Sequence, residues 1–232
     1  AEVWLLAPPD DAIGGCAAEL ATGRLCRTGD IVFHCSGALS SAALAAVAAR
    51  GAAVASVHPL KTFADPAAAV QNFAGTACAA EGDAAALSVL EPAFARIGAR
   101  VFRIERAAKP LYHAASVLVC NDLTALLEAG LRAYAAAGIA REDALRIMEP
   151  LVRETLDNVF ALGTARALTG PVARGDLAVV EQHLAALDAG DPRIAAVYRS
   201  LGALAVELAG AAGTAPADAL AAIAALCARR AN

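Results

Sequence analysis

A lysine and a histidine one helical turn apart open a long apolar run near the middle of the chain. Lys109 and His113 lie in the segment KPLYH, whose proline marks the first turn of a predicted helix. The same face of that helix carries Ser116, Cys120 and Thr124 at helical spacing, with Asn121 beside them. An ammonium and an imidazole so placed can donate a proton and stabilise developing negative charge, which is the chemistry of a general acid. The alternative interpretation is a buried helix face whose polar groups are satisfied within the protein.

Three more polar segments each follow a predicted strand. They are Ala7-Pro8-Pro9-Asp10, HCSG at 34–37 and HPLKTF at 58–63. Because the ligand crevice of a parallel α/β sheet lies beyond the carboxyl ends of its strands, we expect these segments to meet in space. The residues expected there are Ser36, Gly37, His58 and Thr62, with Lys109 and His113 closing a cleft between two domains. Taken singly, Ser36-Gly37 is typical of a turn that caps a helix, and His58 is typical of a structural imidazole.

The elements that must position these residues change character once along the chain. Up to residue 106, short apolar runs alternate with Ala/Leu-rich helices, which predicts an α/β fold with a partial Rossmann-type parallel sheet. Strands are predicted at 3–7, 30–34, 53–57, 76–81 and 100–104. Helices are predicted at 109–137, 141–162, 177–187, 192–211 and 216–230, separated by glycines. The predicted domains are therefore an α/β domain over 1–106 and an all-helical domain over 107–232.

Composition narrows the classes of function. The 232 residues carry a net charge of −4 and no basic patch, which argues against a nucleic-acid partner. The six cysteines form no CxxC pair, so no metal site is predicted, and they suit core positions in a reducing cytoplasm. No uninterrupted apolar run reaches the roughly 20 residues of a membrane span, and no signal peptide is recognisable. We therefore expect a cytoplasmic protein without a membrane partner.

Two segments bear on cofactor and anion binding. The chain opens directly on a predicted buried strand with Ala1 in place of methionine, as if it began in mid-domain through truncation or disorder. It contains no GxGxxG, and Gly14-Gly15 falls inside a predicted helix. Residues 170–176, GPVARGD, are predicted to form a loop between helices. In that loop we expect Asp176 to cap the next helix and Arg174 to bind an anionic ligand or a partner subunit.

The order of these motifs resembles a family, the bacterial Rossmann-like proteins whose C-terminal part is the helical domain DUF2520. The resemblance rests on a strand ending in PPDD, HCSGALS at 34–40, VHPLKTF at 57–63, KPLYHAAS at 109–116, TLDN at 155–158 and GPVARGD at 170–176. It covers essentially the whole chain. Such proteins are related to pyrroline-5-carboxylate reductases, prephenate dehydrogenases and β-hydroxyacid dehydrogenases, with a helical domain similar to that of 6-phosphogluconate dehydrogenase. The resemblance implies a preceding βαβαβ half of roughly 70–90 residues that carries GxGxxG.

The resemblance also implies roles for residues. In the β-hydroxyacid dehydrogenases a lysine with an amide one turn later polarises the substrate oxygen, and here Lys109 and His113 take those positions as catalytic residues. The His58-Pro59 step is similar to one in prephenate dehydrogenases. Together with the strand ends, the polar helix face and the 170–176 loop, this gives Ser36, Gly37, His58, Thr62, Asn121 and Arg174 as the candidate substrate-binding residues. The implied cofactor is NADP or NAD, held by Ala7, Pro8, Asp10 and Ser36, and the implied partner is a second copy bound through the helical domain.

Two functions follow from these residues and motifs. The first is an NAD(P)-dependent oxidoreductase that moves a hydride between nicotinamide and a small carbonyl, imine or hydroxyl compound. The second is a non-catalytic nucleotide-binding or interaction protein that retains the fold, because fold alone does not imply function.

Overall fold

In the computed structural model, residues 2–23, 25–63 and 65–229 are described. The chain divides into two compact units, Ala1–Asp122 and Leu123–Asn232. The division falls inside one long helix, Lys109–Ala136. The domain boundary predicted at residue 106 lies earlier in the chain and stays a prediction.

The first unit is an α/β structure, as predicted. Its strands are β1 (Val3–Leu6), β2 (Ile31–His34), β3 (Ala53–Pro59), β4 (Ala77–Gly82) and β5 (Arg100–Arg103). Its helices are α1 (Asp10–Thr22), α2 (Ala45–Ala48), α3 (Pro66–Gln71) and α4 (Ala84–Arg96), with 3-10 turns at Ser41–Leu44 and Arg106–Ala108. The helix expected after Ser36-Gly37 is thus one 3-10 turn followed by a single α-turn, and α3 was not expected.

The sheet has the order β1-β2-β3-β4-β5, and one of its four strand pairs is antiparallel. The pairs β1–β2, β2–β3 and β4–β5 are parallel, whereas β4 runs against β3. A parallel return needs a crossover helix long enough to pack on the sheet, and the β3–β4 link contains only the short helix α3. The sheet is therefore mostly parallel, as predicted, with one antiparallel pair.

Both faces of the sheet are covered by apolar side chains. Val32 and Val54 pack against Ile13 and Ala17 of α1 on one face. The other face packs Phe33, Ala55, Val57, Cys78 and Ala80 against Leu87 and Leu90 of α4. Successive strand residues point to opposite faces, which explains why these strands are apolar runs without alternation. The two edge strands are exceptions: β5 is largely exposed, and β1, which was expected to be buried, is covered on one side only, with Val3 and Leu5 50% and 52% exposed.

The second unit is helical. It contains the C-terminal part of α5 (Lys109–Ala136), then α6 (Arg141–Leu162), α7 (Thr164–Ala167), α8 (Gly170–Arg174), α9 (Leu177–Gly190), α10 (Pro192–Ala212) and α11 (Ala217–Ala228). The segment 170–176 predicted as a loop is largely the short helix α8, which ends at Gly175 in the left-handed conformation with φ 75°. Asp176 precedes α9 but makes no side-chain cap; its carboxylate accepts from Arg174 instead.

The helices α5 and α6 are far more exposed than the sequence pattern predicts. Leu111, Leu118 and Val119 of α5 are 77%, 64% and 68% exposed, so α5 is not a buried helix within a single chain. By length and composition, two helical stretches, Arg106–Ala136 and Pro192–Ala212, are long and apolar enough to cross a membrane, which the sequence analysis did not expect. Because alanine-rich helices that pack against protein meet the same criteria, the absence of a membrane partner stays a prediction.

Candidate functional site

Lys109 is the first residue of α5, and its side chain is 0% exposed. Its Nζ donates a hydrogen bond to the Ser56 hydroxyl on β3, and that hydroxyl in turn donates to the Ser36 carbonyl at 3.4 Å. Burial lowers the pKa of Lys109 to about 8, while the negative charge of Glu81 opposes this shift. Burial is thus the main reason for the depressed pKa of Lys109.

A row of buried polar residues crosses the sheet beneath Lys109. In the strand register His34 of β2 is the partner of Ser56, and Ser56 is the partner of Glu81 on β4. The three side chains are 0%, 0% and 3% exposed. Partners directly across a sheet project on the same face, so this row places an imidazole, a hydroxyl and a carboxylate side by side.

His34 acts as a scaffold within that row. Its Nδ1 accepts from the Ser36 N–H at 3.2 Å, and its Nε2 lies 3.1 Å from the Ser40 carbonyl. These contacts fit a neutral ring with its proton on Nε2. Burial lowers the pKa of His34, which keeps it neutral and fixes the turn that follows β2.

His58, Tyr112 and His113 form an aromatic group around Gly37. The His58 Nδ1 lies 2.9 Å from the Tyr112 hydroxyl, and the His58 ring meets the Tyr112 and His113 rings edge to face at 5.7 and 5.9 Å. A Cβ on Gly37 would lie 2.9 Å from the His58 Nε2 and 2.4 Å from the His113 Cδ2. The backbone of the 34–37 turn therefore packs directly on both imidazoles, as their position after two neighbouring strands predicts.

The protonation states in this group follow from burial. Burial lowers the pKa of His58 to about 4, helped by the charge of Lys109, and raises that of Tyr112 to about 12. Both side chains are thus neutral at neutral pH and hydrogen-bond as neutral groups. His58, Tyr112 and His113 are all half-buried, and the Lys109 charge acts on His58.

The turn after β1 joins the same region through Ser36. The Ser36 hydroxyl donates to the Asp10 carboxylate at 2.7 Å and accepts from the Leu39 N–H at 2.9 Å. Pro9 is the N-cap residue of α1, so Asp10 and Asp11 lie in the first turn of the helix and do not cap it. Asp10 instead connects the turns that follow β1 and β2.

Other predicted site residues lie apart from this cluster or in the other unit. Thr62 is exposed, and no contact described in residues 58–63 joins it to the imidazoles; the neighbouring Lys61 donates to the Asn72 carbonyl at 3.0 Å. Asn121 is exposed on α5 at the end of the first unit. Arg174 belongs to the second unit and pairs with Asp176 at 2.8 Å, so its guanidinium already has a partner.

Three residues of the cluster were not singled out from the sequence, namely Ser56, Glu81 and Tyr112. A glutamate at the end of the apolar run TACAAE is the one signal that could have drawn attention to Glu81. Its link to Lys109 depends on the antiparallel register of β4, which the sequence does not reveal.

Two family models match the chain. One described as "Domain of unknown function (DUF2520)" matches residues 76–225, and one described as a Rossmann-like domain matches residues 1–59. The first spans well over half of the chain, so the chain belongs to the DUF2520 family, as its motifs predicted. Glu81 and Lys109 fall in that region, whereas Ser36 and Ser56 fall in the Rossmann-like region. No curated protein matches the chain.

Solved structures share the fold. Protein TM1727 from Thermotoga maritima is 27% identical, with a TM-score of 0.75 over 91% of this chain and 79% of that one. A candidate NADP oxidoreductase from Bacteroides fragilis is 21% identical, with a TM-score of 0.68 over 87% and 73%. An imine reductase from Myxococcus stipitatus, solved with NADP+, is 14% identical, with a TM-score of 0.62 over 94% and 78%. The chain therefore has the fold of NAD(P)-dependent reductases.

Proposed function

We propose that the protein is an oxidoreductase that transfers a hydride between the nicotinamide of NADP or NAD and a small carbonyl, imine or hydroxyl compound. The observation that carries the proposal is the buried Lys109 ammonium beside a group of half-buried imidazoles. A reductase fold supports it, since a bound nicotinamide supplies or accepts the hydride and leaves proton and charge handling to the protein.

The protein's part, the handling of proton and charge, is shared by Lys109, His113 and His58. Reduction of a carbonyl or imine builds negative charge on oxygen or nitrogen, which a nearby positive charge stabilises in a poorly solvated site. Lys109, with a pKa of about 8, is mostly protonated at neutral pH and supplies that charge. His113 and His58 present ring nitrogens on the half-buried side. Lys109 itself contacts a substrate only when the residues that cover it move.

The turn after β1 fits one end of a dinucleotide. Pro9 has no N–H, and Asp10 and Asp11 place two carboxylates on the first turn of α1, where a phosphate would otherwise be favoured. This turn therefore does not fit the diphosphate. The Asp10 carboxylate already accepts a hydrogen bond from the Ser36 hydroxyl. The same carboxylate can accept a hydrogen bond from a ribose hydroxyl. The residues that would hold the ribose–nicotinamide end are Ala7, Pro8, Asp10 and Ser36.

Nucleotide binding can be followed through Trp4, the only tryptophan in the sequence, which lies on the strand leading to Ala7. We expect saturable energy transfer from Trp4 to NADPH or NADH, and we expect NADPH to bind more tightly because the related structures named for a cofactor carry NADP. Asp10→Asn should weaken binding several-fold, whereas Asp11→Asn, which changes the same charge one residue away, should not. No saturable transfer with either nucleotide would contradict the proposal.

A non-catalytic nucleotide-binding or interaction protein remains a second candidate, favoured by one observation. Lys109 is 0% exposed and bonded to Ser56, which is also what a purely structural lysine would show. The two candidates differ in turnover. An oxidoreductase oxidises NADPH when offered some member of a panel of small imines, ketones and keto acids, whereas a binding protein takes up the nucleotide without consuming it.

We further propose that two copies associate through the helical unit. All of α6 is described, and Ala144 is its one buried residue. Leu151 and Phe160 on this helix are 57% and 86% exposed. An exposed apolar face of this kind marks an interaction surface, and a symmetric homodimer is the commonest assembly that buries one. A cytoplasmic location without nucleic-acid or membrane partners stays a prediction.

A further inference from the structure

Glu81 ends the buried polar row on β4, yet the function proposed above gives it no part. In the antiparallel register it lies directly opposite Ser56, the residue that accepts the Lys109 hydrogen bond. Directly opposed residues of antiparallel strands have Cβ atoms about 5 Å apart on the same face of the sheet. Glu81 and Lys109 are therefore both neighbours of Ser56, Glu81 across the strand pair and Lys109 through a hydrogen bond.

The hydrogen bonds of Glu81 hold it in that position. Its two oxygens accept from the Ser41 N–H at 2.6 Å and from the Ser41 hydroxyl at 2.8 Å. The Arg106 guanidinium reaches it at 3.4 Å, but the Arg106 side chain is 48% exposed. A buried carboxylate is costly unless it is paired, and a half-solvated arginine at this distance pairs it only in part. Part of the Glu81 charge is therefore free to act on other neighbours, of which Lys109 is one.

Three of the groups that face Lys109, namely His34, Cys35 and His58, are uncharged at neutral pH. Titratable groups surround Lys109 on the elements of the first unit that pack against it and on its own helix. They are Asp10 on α1, His34 on β2, Cys35 after β2, His58 on β3, Glu81 on β4 and His113 on α5. Burial lowers the pKa values of His34 and His58, and it raises the pKa of the Cys35 thiol to about 11. The carboxylates that remain are Asp10, which is exposed and bonded to Ser36, and Glu81, which is buried.

We propose that Glu81 is a positioning residue for Lys109: its buried carboxylate keeps the neighbouring amine in the ammonium form beside Ser56. The charge and the proton of Lys109 are then available at neutral pH despite complete burial. The purpose of this arrangement rests on the proposed function, but the arrangement itself can be measured without a substrate.

The composition of the chain makes that measurement direct. Lys61 and Lys109 are the only lysines in the sequence, so protein labelled with 13C at the lysine ε carbon gives two NMR signals. Lys61→Arg assigns them, and the Lys61 signal serves as an internal reference. In the wild type we expect Lys109 to titrate well below Lys61.

Glu81→Gln is the decisive variant, because it keeps an acceptor for Ser41 and removes the charge. Loss of a nearby opposite charge should lower the Lys109 pKa by about one pH unit or more. Glu91→Gln is the matched control, since Glu91 loses the same charge from an exposed pair with Arg103. Equal Lys109 pKa values in Glu81→Gln and Glu91→Gln would overturn the proposal.

Arg106→Gln provides a second test of the coupling if the Glu81→Gln variant does not fold. Arg106 is half exposed, so its loss should be tolerated. Without the Arg106 guanidinium, the Glu81 carboxylate acts more strongly on the Lys109 ammonium. We expect the Lys109 pKa to rise in Arg106→Gln by more than in Arg103→Gln, which removes a similar exposed arginine. An equal effect of the two arginine variants would contradict a coupling between Glu81 and Lys109.

The two proposals fail in different ways. If the protein shows no turnover but Glu81→Gln lowers the Lys109 pKa, the oxidoreductase proposal fails and the coupling stands. If turnover is found, Glu81→Gln should shift the alkaline limb of the kcat/KM profile to lower pH, and Glu91→Gln should leave it in place. Turnover with an alkaline limb that does not respond to Glu81→Gln would overturn the role of Glu81.

Discussion

Burial of the Lys109 ammonium carries a cost in stability that depends on pH. Its pKa falls from 10.5 to about 8 on folding, a difference that corresponds to roughly 3 kcal/mol. The unfolded chain holds this proton up to about pH 10.5, whereas the folded protein releases it near pH 8. The cost is therefore fully present below pH 8 and disappears as the pH rises towards 10.5. A residue retained at such a cost is a good candidate for a functional role.

Lys109→Met should therefore make the protein more stable at pH 7, by about 1–3 kcal/mol, since methionine fills a similar volume without a charge. Ser56 keeps a partner in the Ser36 carbonyl. Urea unfolding at pH 7 and at pH 10 measures the effect, and the gain should shrink at the higher pH. Lys61→Met is the control and should change stability little. A loss of stability in Lys109→Met at pH 7 would mean that the ammonium is a net stabilising group.

The histidines and the lysine predict the shape of the pH profile. Because the pKa of His58 is lowered to about 4, His58 stays neutral near pH 6.5 and should produce no acid limb there. The protonated form of Lys109 is lost as the pH rises through about 8. In the direction of reduction, kcat/KM should fall tenfold for each pH unit above about 8. A profile that stays flat from pH 7 to pH 10 would exclude Lys109 as the acid.

At the scale of elements, the turn after β2 meets the start of α5 through a glycine that tolerates no side chain. A Cβ at Gly37 would lie within 3 Å of both imidazoles. Gly37→Ala should cost about 1–3 kcal/mol of stability, since two packed rings must move, and it should disturb the candidate site. Gly15→Ala on α1 meets nothing within 4 Å and should stabilise the protein by about 0.5–1 kcal/mol. Thermal unfolding of the two variants is the measurement, and equal stability of Gly37→Ala and wild type would show that the 34–37 turn does not press on the rings.

Elements with a strong local signal could be predicted from the sequence. The apolar runs of β1 to β5 and the long helices α5, α6 and α10 lie within a few residues of their predicted bounds, because periodicity and glycines mark them locally. The short helices α3 and α8 were missed, since one or two turns leave too few residues for a periodic pattern.

Part of the candidate site could also be predicted. Polar residues after strands, together with KPLYH, were enough to bring Gly37, His58 and His113 together. Glu81 and Ser56 were missed because their relation to Lys109 is a cross-strand register between distant parts of the chain. The exposure of α5 was missed because an apolar helix pattern does not tell which molecule covers it.

At the scale of the whole molecule, the exposed apolar face of α6 predicts a dimer. In light scattering at micromolar concentration we expect twice the mass of one chain. Phe160→Asp, on a side chain that is 86% exposed, should shift the protein to the monomer. Val70→Asp is the control, because Val70 is 74% exposed on α3 in the first unit. A monomeric wild type, or a Phe160→Asp variant that remains dimeric, would contradict an interface through α6.

The most direct test of the account is NADPH oxidation by the wild type, Lys109→Met and Lys61→Met, with the best substrate from a panel of small imines and carbonyl compounds. Loss of a positioned acid costs about a hundred- to ten-thousand-fold in rate. We expect a loss of that size in kcat for Lys109→Met, with NADPH binding retained and the activity of Lys61→Met unchanged. Full activity of Lys109→Met would contradict the account, and the ammonium beside Ser56 would then be a structural group in a reductase fold.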